Sequence, residues 1–145
     1  MVQIENIGIV GAGQMGNGIA HVAACAGFGV QLTDISQDAL DRAVATIEKN
    51  LGRMVKKEKI SEADAAAAMA RIACSTDMAS VAASQLVVEA ATENVDLKYK
   101  IFEGLSEIAS EDTILATNTS SISITSIAAK AKNPERVMGM HFMNP

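Results

Sequence analysis

The sequence has no tryptophan and a single tyrosine among 145 residues, so stacking of bases on aromatic side chains is not an available binding mode. It has no basic excess: 12 Lys and Arg stand against 17 Asp and Glu, and a net charge of −5 argues against a nucleic-acid partner. No apolar run approaches the roughly 18 residues of a membrane span. The strand-like IGIV begins almost at once, which leaves no signal peptide to read. A cytoplasmic location without membrane attachment is the expectation. There is no CxxC pair and no histidine cluster. Cys25 and Cys74 stand far apart, and read as reduced thiols filling small core spaces rather than as a disulfide or metal site. What is present is ordinary globular composition, 49% hydrophobic and 20% charged. That is enough chain for one domain with a substantial core.

The hydrophobic pattern alternates between strand and helix, with no repeat or low-complexity tract. Short, nearly continuous apolar runs predict strands at Ile7–Val10, Val30–Asp34, Ile72–Ser75, Leu86–Ala90, Thr113–Asn118 and Val137–Phe142. Such runs suit strands covered on both faces. Between them, Met15, Ile19, Val22, Ala23 and Ala26 recur at helical spacing, and Gly27 suits a helix stop. The spacing predicts a helix over Asp38–Lys59 with Leu40, Val44, Ile47, Leu51 and Val55 on one face. Ser61 and Asp64 form a capping-box pattern opening a second helix through Ala70. Further helices are predicted at Lys98–Ala109 and Ser121–Ala131. Strand and helix in this order imply an α/β fold, a parallel sheet with right-handed crossovers. The helix pair inserted between the second and third strands is longer than a crossover needs, as a projecting binding element would be.

GAGQMG at residues 11–16 fits G-x-G-x-x-G, a weak pattern alone, but here it follows a strand and opens a helix. Gly11 permits the tight turn, Gly13 lets the backbone approach a pyrophosphate, and Gly16 allows helix and strand to pack closely. Gln14 and Met15 complete the loop, whose free N–H groups meet phosphates. Asp34, at the end of the second strand, is placed to bind both hydroxyls of the adenosine ribose. This is the signature of a Rossmann-type, doubly wound nucleotide-binding domain. Asp34 also favours NAD over NADP, because a 2′-phosphate would be repelled and Ile35, Ser36 and Gln37 offer no cation. His21 falls opposite the apolar stripe of its helix and is expected to face solvent.

Ligands of open α/β sheets bind outside the carboxyl ends of the strands. There the sequence places Ala90, Glu93 and Asn94 after the fourth strand, Asn118 to Ser121 after the fifth, and His141 with Asn144 on the sixth. The Ser/Thr cluster serves helix capping or substrate contact equally well. His141 reads either as a core histidine or, beside a nicotinamide site, as a proton acceptor, a task suited to imidazole near neutral pH.

GIVGAGQMGNGIA, VEAATEN, ATNTSSISI and GMHFMNP, in this order and spacing, resemble the L-3-hydroxyacyl-CoA dehydrogenase family, especially its bacterial 3-hydroxybutyryl-CoA members. The resemblance covers essentially the whole chain. It implies His141 as general base, Ser120 on the substrate oxygen, and Asn144 holding nicotinamide and substrate. It further implies cofactor contacts from Asp34, Ala90, Glu93, Lys98 and Ser120, and oxidation of a 3-hydroxyacyl-CoA to the 3-oxoacyl-CoA with NAD as hydride acceptor. Met143 departs from the family's usual Phe, one apolar residue for another. Arg53, Lys56 and Lys57, near the end of the first inserted helix, either complement its macrodipole or, as the resemblance implies, lie near the phosphates and adenine of CoA. The resemblance also matches Lys57 to a CoA-contacting lysine. Family members continue past HFxNP to an acid that assists the histidine and to a helical domain that makes the homodimer. Residues 1–145 are therefore expected to be an NAD-binding domain incomplete at its C-terminal end. Two other readings stay open. A hydroxyisobutyrate-type β-hydroxyacid dehydrogenase shares G-x-G-x-M-G, but resembles its kin in using a lysine base and lacks NTSS and HFxNP. A non-catalytic NAD-binding module would lack an acid partner for His141.

Overall fold

A computed structural model describes residues 3–143. The apolar runs form six strands: β1 (Asn6–Val10), β2 (Gly29–Thr33), β3 (Ile72–Ser75), β4 (Leu86–Glu89), β5 (Ile114–Thr117) and β6 (Val137–Gly139). They pair in parallel throughout, in the order β3-β2-β1-β4-β5-β6. Between them run α1 (Gln14–Cys25), α2 (Gln37–Lys56), α3 (Glu62–Ala70), α4 (Val95–Ile108) and α5 (Ile124–Ala128). This is the doubly wound order whose direction reverses between β1 and β4, where a crevice opens.

Alternation along the strands sends side chains to two cores. Ile7 and Ile9, Val30 and Leu32, and Leu86 and Val88 pack under α1, α2 and α3. Val10, Val87 and Leu115 pack under α4 with Ile101, Phe102 and Leu105. On α2 the buried stripe is Leu40, Ala43, Ile47 and Leu51, while Val44 and Val55 are half-buried. Ser36 caps α2, and the Ser61–Asp64 capping box opens α3 as the pattern predicts.

Several boundaries and the burial of three residues differ from expectation. α2 ends at Lys56 rather than Lys59, because Glu58 turns left-handed (φ 55°) and reverses the chain. α5 is shorter than the predicted Ser121–Ala131, because Ser120 to Ser123 form the loop and cap that precede it. β6 ends at Gly139 rather than Phe142, for a reason that belongs to the site. Both thiols are free but exposed rather than in the core: Cys25 ends α1 and Cys74 lies on the edge strand β3. His21 is half-buried rather than solvent-facing, on a helix flanked by both α2 and α3, and burial lowers its pKa.

Candidate functional site

The crevice between β1 and β4 begins at the glycine turn. Gly11 adopts φ +106°, and a Cβ there would stand 2.7 Å from the carbonyl oxygen of Ala90. A Cβ on Gly16 would meet the Gly11 carbonyl oxygen at 1.7 Å, so the first turn of α1 closes directly onto the strand end. Gly13, by contrast, has nothing within 4 Å of where a Cβ would be. It forms the floor of open space at a helix N-terminus that carries no acidic residue in its first turn and no side-chain cap. The N–H groups of that turn lack intrahelical partners, and the dipole favours an anion there. These features fit a pyrophosphate.

Asp34 fixes this turn while facing the same cleft. Its Oδ2 accepts from the Ala12 N–H at 2.8 Å and its Oδ1 from the Ser36 N–H at 2.9 Å. Each oxygen keeps one lone pair for a hydroxyl donor. The cleft, of about 340 Å³, is lined by Gly11, Gly13, Asp34, Ile35, Met78 and Ala90 among others. Ile35 is 97% exposed beside Asp34, an apolar wall offered to a flat ring.

On the far side of the reversal, two loops are tied together. Glu93 accepts from the Thr119 hydroxyl, and its Oε2 lies 3.4 Å from the Ser120 N and 3.5 Å from the Ser120 hydroxyl oxygen. The Thr119 hydrogen bond is the main reason its carboxyl is held below the usual value; burial opposes this, while Ser120 and Lys98 add to it. Beneath the loops Glu89, fully buried, accepts from Lys98 Nζ at 2.7 Å, from the Ala91 N–H at 2.7 Å and from the Thr117 hydroxyl at 2.7 Å. Lys98 is buried as well, with its ammonium 3.9 Å from Glu93 Oε1.

His141 is exposed at the end of the sheet, on a segment held by a side chain in place of a ladder. Met140 N–H still donates to the Thr117 carbonyl at 2.9 Å, but the next bond runs from the Phe142 N–H to the Asn118 side-chain oxygen at 2.7 Å. Regular pairing therefore stops at Gly139 while the chain stays anchored through His141. The strand-end position expected for the histidine is kept, by a different bond.

The expected site residues thus fall into three groups. Gly11, Gly13, Gln14, Met15, Gly16, Asp34 and Ala90 surround the crevice at the β1 and β2 ends. Glu93, Ser120 and His141 lie at the β4, β5 and β6 ends, while Lys98 sits below, already bound to Glu89. Arg53, Lys56 and Lys57 stand at the opposite end of α2 from Asp34, about 30 Å away along a helix of 20 residues, and do not line the cleft. Asn144 lies outside the described residues. Among the described residues no three His, Cys, Asp or Glu side chains group as metal ligands. Glu89, Thr117 and the clip made by Asn118 were not read as site residues from sequence. A glutamate closing the apolar run LVVE was the available signal, since a charge so placed requires a partner.

Fold, glycine turn and the acid at the end of β2 together define a dinucleotide-binding domain of the dehydrogenase class. Residues 6–145 match the family described as 3-hydroxyacyl-CoA dehydrogenase, NAD binding domain, and the chain belongs to that family. A 3-hydroxybutyryl-CoA dehydrogenase of Bradyrhizobium diazoefficiens is 48% identical over 98% of this chain and 48% of its own. A 3-hydroxyadipyl-CoA dehydrogenase of Escherichia coli is 45% identical over 100% of this chain and 30% of its own. Among solved structures, (S)-3-hydroxybutyryl-CoA dehydrogenase from Ralstonia eutropha superposes with a TM-score of 0.95 at 51% identity, over 98% of this chain and 50% of that one. The chain spans about half the length of the Bradyrhizobium relative. The cofactor is NAD.

Proposed function

We propose that this domain serves the oxidation of a (S)-3-hydroxyacyl-CoA, of the 3-hydroxybutyryl-CoA kind, to the 3-oxoacyl-CoA. The observation that carries the reading is His141, anchored by Asn118 at the carboxyl end of the sheet on the Ser120 side of the glycine cleft. Bound NAD would supply the hydride acceptor. His141 takes the proton of the 3-hydroxyl as general base. Ser120 donates its hydroxyl to the C3 oxygen, and Asn144 holds substrate and nicotinamide in register. Gly11 to Gly16 and Asp34 hold the pyrophosphate and adenosine ribose, with Ala90 and Glu93 lining the nicotinamide half.

The CoA moiety belongs to Lys57, Arg53 and Lys56, whose place at the tip of the α2–α3 pair gives that long insertion a use. The second half of the protein would provide the acid that orients His141, cover the acyl chain and form the homodimer. Supporting the substrate class are the names carried by the Bradyrhizobium and Ralstonia relatives. The test is NADH formation by the full-length protein across a panel of 3-hydroxyacyl-CoA chain lengths and the corresponding free acids. Turnover of CoA thioesters with no turnover of free acids is the expected result. Equal turnover of free 3-hydroxyisobutyrate, or none of any thioester, would overturn the proposal.

A further inference from the structure

We infer that Glu89, which presents no surface to the cleft, positions both loops that face the nicotinamide half of the cofactor. The inference rests on reading the cleft as the NAD site. Glu89 closes β4, at the reversal of strand order. Its Oε2 takes the Ala91 N–H and Lys98 Nζ, each at 2.7 Å, and Lys98 donates in turn to the Ala91 carbonyl at 3.2 Å. Both polar groups of residue 91 are therefore held from below by one buried ion pair. That fixes the backbone beside Ala90, the residue against which Gly11 packs.

The other oxygen reaches the second loop. Glu89 Oε1 accepts from the Thr117 hydroxyl at 2.7 Å, and that hydroxyl accepts from the Thr119 N–H at 3.3 Å. The main-chain carbonyl of Glu89 also accepts from the Asn118 N–H at 2.8 Å. Asn118 clips the His141 segment, and Thr119 with Ser120 engages Glu93. One carboxylate thus joins the β4 loop to the β5 loop, and the main-chain carbonyl of the same residue holds Asn118, which clips the His141 segment.

A demand for stability alone does not explain the pair. Two fully buried charges carry a desolvation cost that apolar side chains of similar volume avoid, often with no loss of stability. Apolar groups cannot accept from an amide, an ammonium and a hydroxyl together. Positioning is what the charge adds.

The test compares the wild-type chain with Glu89→Gln and Thr117→Val. Glutamine keeps an acceptor for Thr117 but loses the one shared by Lys98 and Ala91. Valine keeps the ion pair and removes the hydroxyl relay to Thr119. NAD is titrated calorimetrically well below each thermal midpoint, and amide exchange is followed by NMR. For Glu89→Gln the expected result is roughly tenfold weaker NAD binding, the loss of one hydrogen bond to a charged group. Exchange should quicken at Ala91 but not at Thr119, Ile9 or Leu32. Thr117→Val should weaken NAD about threefold to tenfold and quicken exchange at Thr119 alone. If either folded variant binds NAD as the wild type does, the inference is overturned. It is overturned too if exchange rises evenly through the sheet, or if neither variant folds, since the network then serves stability only. Failure of the wild-type chain to bind NAD would instead remove the cofactor reading, with the exchange pattern still deciding whether Glu89 orders the loops.

Discussion

Asp34 holds the glycine turn through Ala12 and the start of α2 through Ser36, while facing the cleft proposed to take the ribose. Asp34→Ala should therefore weaken NAD by about tenfold or more, the loss of charge-assisted hydrogen bonds, and NADP by less. The preference between them narrows because the repulsion of a 2′-phosphate is gone. Calorimetric titration with both cofactors checks this, and an unchanged ratio would contradict the assignment. Glu93 yields a pH prediction. Its carboxyl is held below its ordinary value chiefly by the Thr119 hydroxyl, so the unfolded state binds more protons in the acid range. The contribution is fully present above the ordinary value of 4.5 and is lost as pH falls through the depressed folded value. Glu93→Gln should flatten the acid limb of thermal midpoint against pH below about 4.5 while leaving the neutral region little changed.

At the scale of elements, α1 and α2 stop in the same way with different residues. The Gly27 N–H bonds the Ala24 carbonyl and Phe28 N–H the Ala23 carbonyl, and at α2 the pairs are Glu58 with Val55 and Lys59 with Met54. Both are Schellman turns. Gly27 announced the first stop in the sequence, whereas Glu58, left-handed without being glycine, hid the second. Glu58→Gly should stabilise the domain by about 1 kcal/mol, since the left-handed conformation costs a residue with a Cβ roughly that much. A lower thermal midpoint for the variant would contradict the strain argument. The same tip carries the basic cluster. In the full-length protein Lys57→Ala should raise KM for the acyl-CoA with kcat nearly unchanged, because a remote phosphate contact acts as uniform binding. An equal loss on CoA-linked and truncated thioesters would reduce the cluster to a solvated helix end.

Over the whole molecule, the doubly wound parallel sheet and its ligand-binding end were legible because each strand is a buried apolar run followed by polar residues. GAGQMG was legible because its residues are contiguous in the chain, and Asp34 because parallel pairing of β1 with β2 brings the ends of both strands together. The network around Glu89 was not. Its partners Ala91, Lys98 and Thr117 come from three elements that meet only once β4 and β5 pair and α4 packs across them. The clip from Asn118 to Phe142 was hidden for the same reason, because a side chain there replaces a ladder bond that the apolar pattern led one to expect. Both features converge on the lip where His141 stands. The measurement that tests the account most directly is NADH formation from (S)-3-hydroxybutyryl-CoA by the full-length protein and its His141→Ala variant, with NAD titrated into the same preparations. The expected result is a fall in kcat of about 10²–10⁴-fold with NAD affinity held within about twofold, because the base is lost and the dinucleotide contacts are not. Undiminished turnover by the variant, or loss of NAD binding in step with activity, would contradict it.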